Sequence, residues 1–148
     1  MKSRLAKWVV ILMVVGLAIS WYAEVLAEDW KFYAAGGEGT FWWYDAQGIT
    51  YPANKVIRVW VKKVKADEIL EMIKSGAQLK PSELEQMTSG RDYERSLMEI
   101  DCVKKTYNYL QRLNYNSKGV LKTGISEPAI MSIPPKSVVE TLYKEVCK

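Results

Sequence analysis

The sequence predicts an α+β fold, a single antiparallel β-sheet completed by a carboxy-terminal α-helix. Three observations carry that expectation. Runs of β-branched and aromatic residues between glycine-bearing turns fill residues 30–65 and resume at Tyr93. The chain closes with "SIPPKSVVETLYKEVCK", where Pro134 and Pro135 stop any strand and an apolar stripe of helical spacing follows. Its only two cysteines are Cys102, in one of the strand runs, and Cys147, at the end of the terminal helix.

The amino terminus sets the compartment in which those cysteines are read. Lys2, Arg4 and Lys7 precede an apolar run from Trp8 to Ile19, followed by "SWYAEVLAED". The run is shorter than the roughly 20 apolar residues a bilayer span needs. Val25 and Ala27 are small enough for the subsites of a signal peptidase, so residues 1–27 are expected to be a signal peptide cut between Ala27 and Glu28. The competing reading is an uncleaved anchor continuing through Leu26, which Glu24 interrupts without a stop-transfer charge cluster. No cysteine follows the run to take a bacterial lipid anchor. The domain expected to remain is residues 28–148. Loss of three cations and one anion takes the formal charge from +4 to +2, little support for nucleic-acid binding.

In an oxidising compartment an even cysteine count favours a bridge. The chemical alternatives are weaker. The chain has no histidine, the usual base for a thiol nucleophile and the commonest nitrogen ligand of zinc, and two isolated cysteines do not fill a four-ligand site. There is no C-x-x-C pair to tune a redox thiol. In the chain-entropy description, closing the loop from 102 to 147 disfavours the unfolded state by roughly 4 kcal/mol.

The strands follow in order. "WKFYAA", a turn at "GGEG", "TFWWYD", a turn at "AQG" and "KVIRVWVKKVK" read as consecutive strands. In the last, Ile57, Val59 and Val61 share one face and Arg58, Trp60 and Lys62 the other. In "TFWWYD", Phe41 and Trp43 oppose Thr40, Trp42 and Tyr44, so large aromatics lie on both faces. One set must be closed by other parts of the chain or be a contact surface. Residues 66–91 then read as two short helices in a mobile connection, with a capping box from Ser82 to Glu85 and no assigned chemistry. From Tyr93 the strands resume. Met98, Ile100 and Cys102 share the core side, and "TYNYLQRLNY" puts Tyr107, Tyr109, Leu113 and Tyr115 on one face. "NSKG" turns into the short strand "VLKTG". Finally Ser137 and Glu140 form an S-x-x-E capping box for a helix from about Val138. Val139, Leu142, Tyr143 and Val146 make its apolar stripe, beside which Cys147 meets Cys102.

No catalytic, cofactor-binding or metal-binding residues are assigned, and the chain is read as a non-enzyme. "GGEG" lacks the spacing of a phosphate loop, and no G-x-S-x-G occurs. Glu99 and Asp101 share a strand face, but carboxylates at this density are usually solvated. The candidate interaction surface is Trp42, Tyr44, Arg58, Trp60 and Lys62, since aromatic side chains concentrate contact energy. It would bind a protein partner or a second copy of the chain. Two alternatives compete with it. One is a small-ligand or enzymatic cleft between helix and sheet lined by Tyr107, Tyr109 and Tyr143. The other is an anionic envelope or matrix polymer held by Arg58, Lys62, Lys63 and Lys65.

With "VIRVWVKK", "EIDC" and "IPPKSVVETLYKEVC" in place, the stretch from Trp30 to Cys147 resembles the surface-adhesin protein E family. Trp60 within "RVWVK", Asp101 with Cys102, and Pro135, Ser137 and Cys147 of the ending carry the resemblance. It implies an antiparallel sheet of about six strands, with the terminal helix disulfide-tied to its concave face, in a bacterial adhesin domain that binds proteins and can dimerise. Without the lipid-anchoring cysteine, the expected location is periplasmic or secreted rather than attached to the cell surface.

Overall fold

The computed structural model describes residues 28–148; the expected signal peptide and the Ala27 side of its cleavage point lie outside the described residues. The chain runs β1 (Trp30–Gly36), β2 (Thr40–Asp45), β3 (Thr50–Ala53), β4 (Val56–Lys65), α1 (Asp67–Lys74), α2 (Pro81–Thr88), β5 (Tyr93–Asp101), β6 (Thr106–Tyr115), β7 (Leu121–Ile125), β8 (Met131–Ser132) and α3 (Val138–Val146).

All pairings are antiparallel, and the sheet is eight-stranded and open. Six strands cross it in the order β1-β2-β4-β5-β6-β7. The two strands beyond the expected six are short. β3 pairs with the start of β4, beyond the stretch that β2 covers, and β8 pairs with the start of β6, beyond the stretch that β7 covers. The long central strands thereby keep hydrogen-bond partners along both edges, as buried backbone demands.

Turn chemistry fixes the connections. Glu38 and Gly39 take positive φ between β1 and β2. A Cβ on Gly39 would lie 2.8 Å from the Cα of Asp67, so only glycine lets this turn pass beneath the start of α1, where its carbonyl accepts the Ala66 N–H at 2.8 Å. Asp101 accepts the N–H groups of Val103 and Lys104 at the β5–β6 turn, and Asn116 accepts those of Lys118 and Val120 at the β6–β7 turn.

The register sorts side chains onto two faces, each with its own core. On one, Tyr44, Val59, Val61, Met98 and Ile100 are buried with Leu142 of α3, and the Cys102–Cys147 disulfide joins the end of that helix to the β5–β6 turn with a Cα separation of 5.6 Å. On the other, Phe41, Trp43 and Val64 are buried with Ala66, Ile69 and Leu84. Ile69 and Leu84 belong to α1 and α2. The connection expected to be a mobile excursion is thus the roof of a second core, and it covers Phe41 and Trp43, half of the two-sided aromatic strand.

Two expectations about local geometry are corrected. The capping box of α2 does not run from Ser82 to Glu85. Pro81 occupies the first helical turn, where its missing N–H is no loss, which makes Lys80 the cap; Glu83 accepts the Lys80 N–H at 2.7 Å. In β6, the ladder to β5 slips between Leu97 and Met98, which pair with Gln111 and Tyr109, leaving Leu110 as the extra residue. Tyr107 and Tyr109 therefore share the face of Met98 and Ile100, whereas Leu113 and Tyr115 share the opposite face with Arg95 and Tyr93.

Candidate interaction surface

The five residues expected to form one surface are divided between the two faces. Tyr44 pairs with Val61 and Trp43 with Lys62, so Trp42 and Tyr44 point to the side of α3 while Arg58, Trp60 and Lys62 point to the side of α1 and α2. Tyr44 is no surface residue. Only 9% of it is exposed, its ring meets that of Tyr33 edge-on at 5.9 Å, and it belongs to the core beneath α3. Trp42 stays half-buried at a rim, with its indole N–H on Thr40 Oγ1 at 3.3 Å and the Lys63 ammonium 5.4 Å from its ring.

The other face assembles a set that single-strand patterns do not reveal. The Arg95 guanidinium lies 5.1 Å from the Trp60 ring and 5.3 Å from that of Trp30. The Lys62 ammonium lies 5.0 Å from Trp30 and 5.2 Å from Trp43. Trp60, Arg95, Trp30, Lys62 and Trp43 thus alternate ring and cation across β5, β4, β1 and β2. Lys62 and Arg95 are direct cross-strand partners, an arrangement of like charges that disfavours the sheet unless something offsets it. For Arg95 the offset is Glu28, whose carboxylate takes its Nη2 at 2.6 Å and the Trp30 indole N–H at 2.9 Å.

Lys62 has no such partner. Among the described residues no carboxylate lies within ion-pair distance of it, although the other basic residues of its strand are paired: Arg58 with Glu99 at 2.8 Å, Lys63 with Glu94 at 3.2 Å and Lys65 with Asp67 at 3.7 Å. Burial, reinforced by Arg95, holds its ammonium below the ordinary lysine range against the opposing pull of Glu85 and Glu28. Both cations open into a cleft of about 300 Å³ between the sheet and the end of α2, where Trp30, Tyr93, Glu85 and Arg91 complete much of the wall. Outside the cleft, Trp60 pairs across the strands with Leu97, and both are half-buried in neither core.

The alternative sets fare differently. Lys63 and Lys65 point away from Arg58 and Lys62, so the four basic residues do not form one stripe. Tyr107 and Tyr109 contact edge-on at 5.7 Å and pack with Tyr143 in the core under α3, where the Tyr143 hydroxyl donates to the Cys102 carbonyl at 3.1 Å. Glu99 is held by Arg58. Asp101 is committed to its turn, where the N–H groups of Lys104 and Val103 keep its carboxyl below the usual carboxylate range. Among the described residues, no three of His, Cys, Asp and Glu gather where they could hold a metal ion, and no helix is long and apolar enough to cross a membrane.

Arg95 and Trp30 meet Lys62 only through the pairing of β1, β2, β4 and β5, and Glu28 reaches Arg95 from the segment before β1, so neither contact is visible along the chain. The strand "YERSLMEID" is legible by itself, but the pairing that sets its Arg95 opposite Lys62 is made across the α1–α2 connection, which no local pattern encodes. Compared with known proteins, the chain matches no family model, no curated protein and no solved structure.

Proposed function

We propose that this chain is an exported, non-enzymatic binding domain of the adhesin E type, and that its working surface is the sheet face bearing Trp60, Arg58 and Leu97. The observation that carries this reading is the part of the cation–aromatic ladder that lies outside both cores: Trp60 is half-buried beside Leu97 and Arg95, and among the described residues it packs into neither core. A Trp flanked by arginines is the composition found where binding energy concentrates in protein interfaces. The partner is a protein, a second copy of the chain included, reached in a periplasmic or extracellular setting. The disulfide supports that location, since such bridges persist in oxidising compartments. The finer geometry implied by the family resemblance, with α3 on the concave side of the sheet, belongs to the same proposal.

A photo-activated cross-linking residue placed at position 60, and separately at position 42, tests the choice of face in cells that export the protein. Discrete protein adducts from position 60 and none from position 42 are the expected result. Adducts from position 42 alone, or none from either, would overturn it, and the mass of an adduct separates self-association from a foreign partner.

A further inference from the structure

We infer that the cleft beside Trp30 is a binding site for a small carboxylate carried on a flat, apolar body, with Lys62 and Arg95 as its anion-holding pair. The inference is independent of the protein-binding reading, because it concerns a pocket inside the rim of that face and its test uses no macromolecular partner.

Four observations converge on it. The first is charge: the cleft lining contains Lys62, Arg91 and Arg95 against the carboxylates of Glu28 and Glu85. Arg91 is already engaged by Glu68 and Arg95 by Glu28, which leaves Lys62 as the cleft cation with no ion-pair partner among the described residues, opposed only at longer range by Glu85 and Glu28. The second is an orphaned donor: Nε of Arg95 is buried and has no hydrogen-bond partner among the described residues, whereas buried polar groups ordinarily find one. The third is geometry. Lys62 and Arg95 face each other across neighbouring strands, the spacing at which one anion relieves the repulsion of both. The fourth is precedent within the molecule, since the Glu28 carboxylate is already received there by a guanidinium N–H and an indole N–H.

That resident carboxylate also selects the ligand chemistry. The planar fork of an arginine matches a carboxylate, and an indole N–H adds a donor that only an acceptor can use. The walls then choose what carries the charge. Trp30 and Tyr93 line the cleft, and the Tyr93 ring is backed by Tyr115, stacked at 4.9 Å and 12°. A rigid aromatic wall favours a flat apolar body over a hydrated chain. Two sources meet this description, a free aromatic acid and the carboxy-terminal carboxylate of a peptide ending in an aromatic residue. Glu28, at the edge of the described chain, acts in either case as a built-in competitor for Arg95.

The test is a titration of the purified protein with benzoate at fixed ionic strength, followed through the indole N–H resonances of Trp30 and Trp60. Benzamide serves as the uncharged control, and N-acetylglycylphenylalanine as the peptide-terminus arm. Benzoate or the peptide acid should shift the Trp30 resonance saturably while benzamide does not, and whichever acid binds more tightly identifies the source. Lys62→Met should weaken binding by about tenfold or more, the consequence of removing one charge-assisted contact. Glu28→Gln should tighten it several-fold by releasing Arg95. The opposite signs keep the test meaningful should either variant fold poorly. Equal responses to benzoate and benzamide, no response to either acid, or an unchanged titration in both variants would overturn the inference.

Discussion

Tyr143 and Cys102 are joined twice: the Tyr143 hydroxyl donates to the Cys102 carbonyl at 3.1 Å, and the Tyr143 carbonyl accepts the N–H of Cys147, the residue disulfide-bonded to Cys102. The end of α3 is therefore fixed to the β5–β6 turn by one covalent and one hydrogen-bonded link, directly over the buried Leu142. The two links differ in kind. The disulfide acts largely on the unfolded chain by closing a 45-residue loop, and the hydrogen bond acts on the folded one.

The paired variant Cys102→Ala/Cys147→Ala should accordingly lose up to about 4 kcal/mol of stability, and Tyr143→Phe in the oxidised protein about 1 kcal/mol. Urea unfolding with and without reductant measures both. A reduced protein as stable as the oxidised one would sink the assignment of the bridge as a staple.

The roof over Trp43 makes a second prediction. Leu84 and Ile69 are 4% and 0% exposed, so Leu84→Ala or Ile69→Ala should cost about 2–5 kcal/mol through the cavity each leaves. Leu121→Ala, in the exposed strand β7, should change stability by no more than about 0.5 kcal/mol. Thermal unfolding supplies the ranking, and a red shift of tryptophan emission in Leu84→Ala would report the uncovering of Trp43. Roof variants as mild as Leu121→Ala would mean that α1 and α2 are the loose connection their polar surfaces suggest.

That contrast shows where a sequence is legible. Period-two alternation placed Ile57, Val59 and Val61 on one face and Met98 with Ile100 on one face, because the alternation is a property of each strand alone. The cap at Ser137 was legible for the same local reason: its hydroxyl accepts the Glu140 N–H at 3.1 Å, although Glu140 reaches back to Lys136 rather than to Ser137. What could not be read is how the faces of different strands combine. Whether Trp42 or Trp43 joins Trp60 depends on the β2–β4 register, and a single extra residue at Leu110 turns Leu113 and Tyr115 away from Tyr107. The cation–aromatic ladder draws on four strands, so no window along the chain contains it.

Lys55 offers a test of local strain. It turns the chain between β3 and β4 at φ 59°, in the left-handed region where a Cβ is disfavoured. Lys55→Gly should raise stability by about 0.5–1 kcal/mol, since relief of the strained conformation outweighs the added freedom of the unfolded chain. Its effect is read as a rise in melting temperature at neutral pH. A fall would show that the Lys55 side chain contributes more than its backbone costs.

The alkaline limb of stability follows from Tyr33 and Tyr109. Burial drives the Tyr33 phenol far above its ordinary value, with Tyr109 adding to the effect. Burial also pushes Tyr109 up to about 12, opposed by the Arg112 guanidinium 3.9 Å from its ring. A phenol whose folded pKa is raised contributes stability that is fully present below the unfolded value near 10 and is lost as pH climbs toward the folded value. Between pH 10 and about 12 the unfolded chain releases protons that the folded one keeps. Stability should then fall by about 1.4 kcal/mol per pH unit for each tyrosine. Lys62 acts with the opposite sign, because its ammonium is held below 10.5 and the cost of burying that charge disappears as it deprotonates. One lysine against these two phenols, with Tyr93 also raised by burial, leaves the net slope negative above pH 10. Urea midpoints from pH 8 to 12, with tyrosinate absorbance followed in parallel, measure it. Tyr109→Phe should flatten the limb and Lys62→Met should steepen its onset; a Tyr109→Phe protein with the unaltered slope would show that this phenol titrates alike in the folded and unfolded chain.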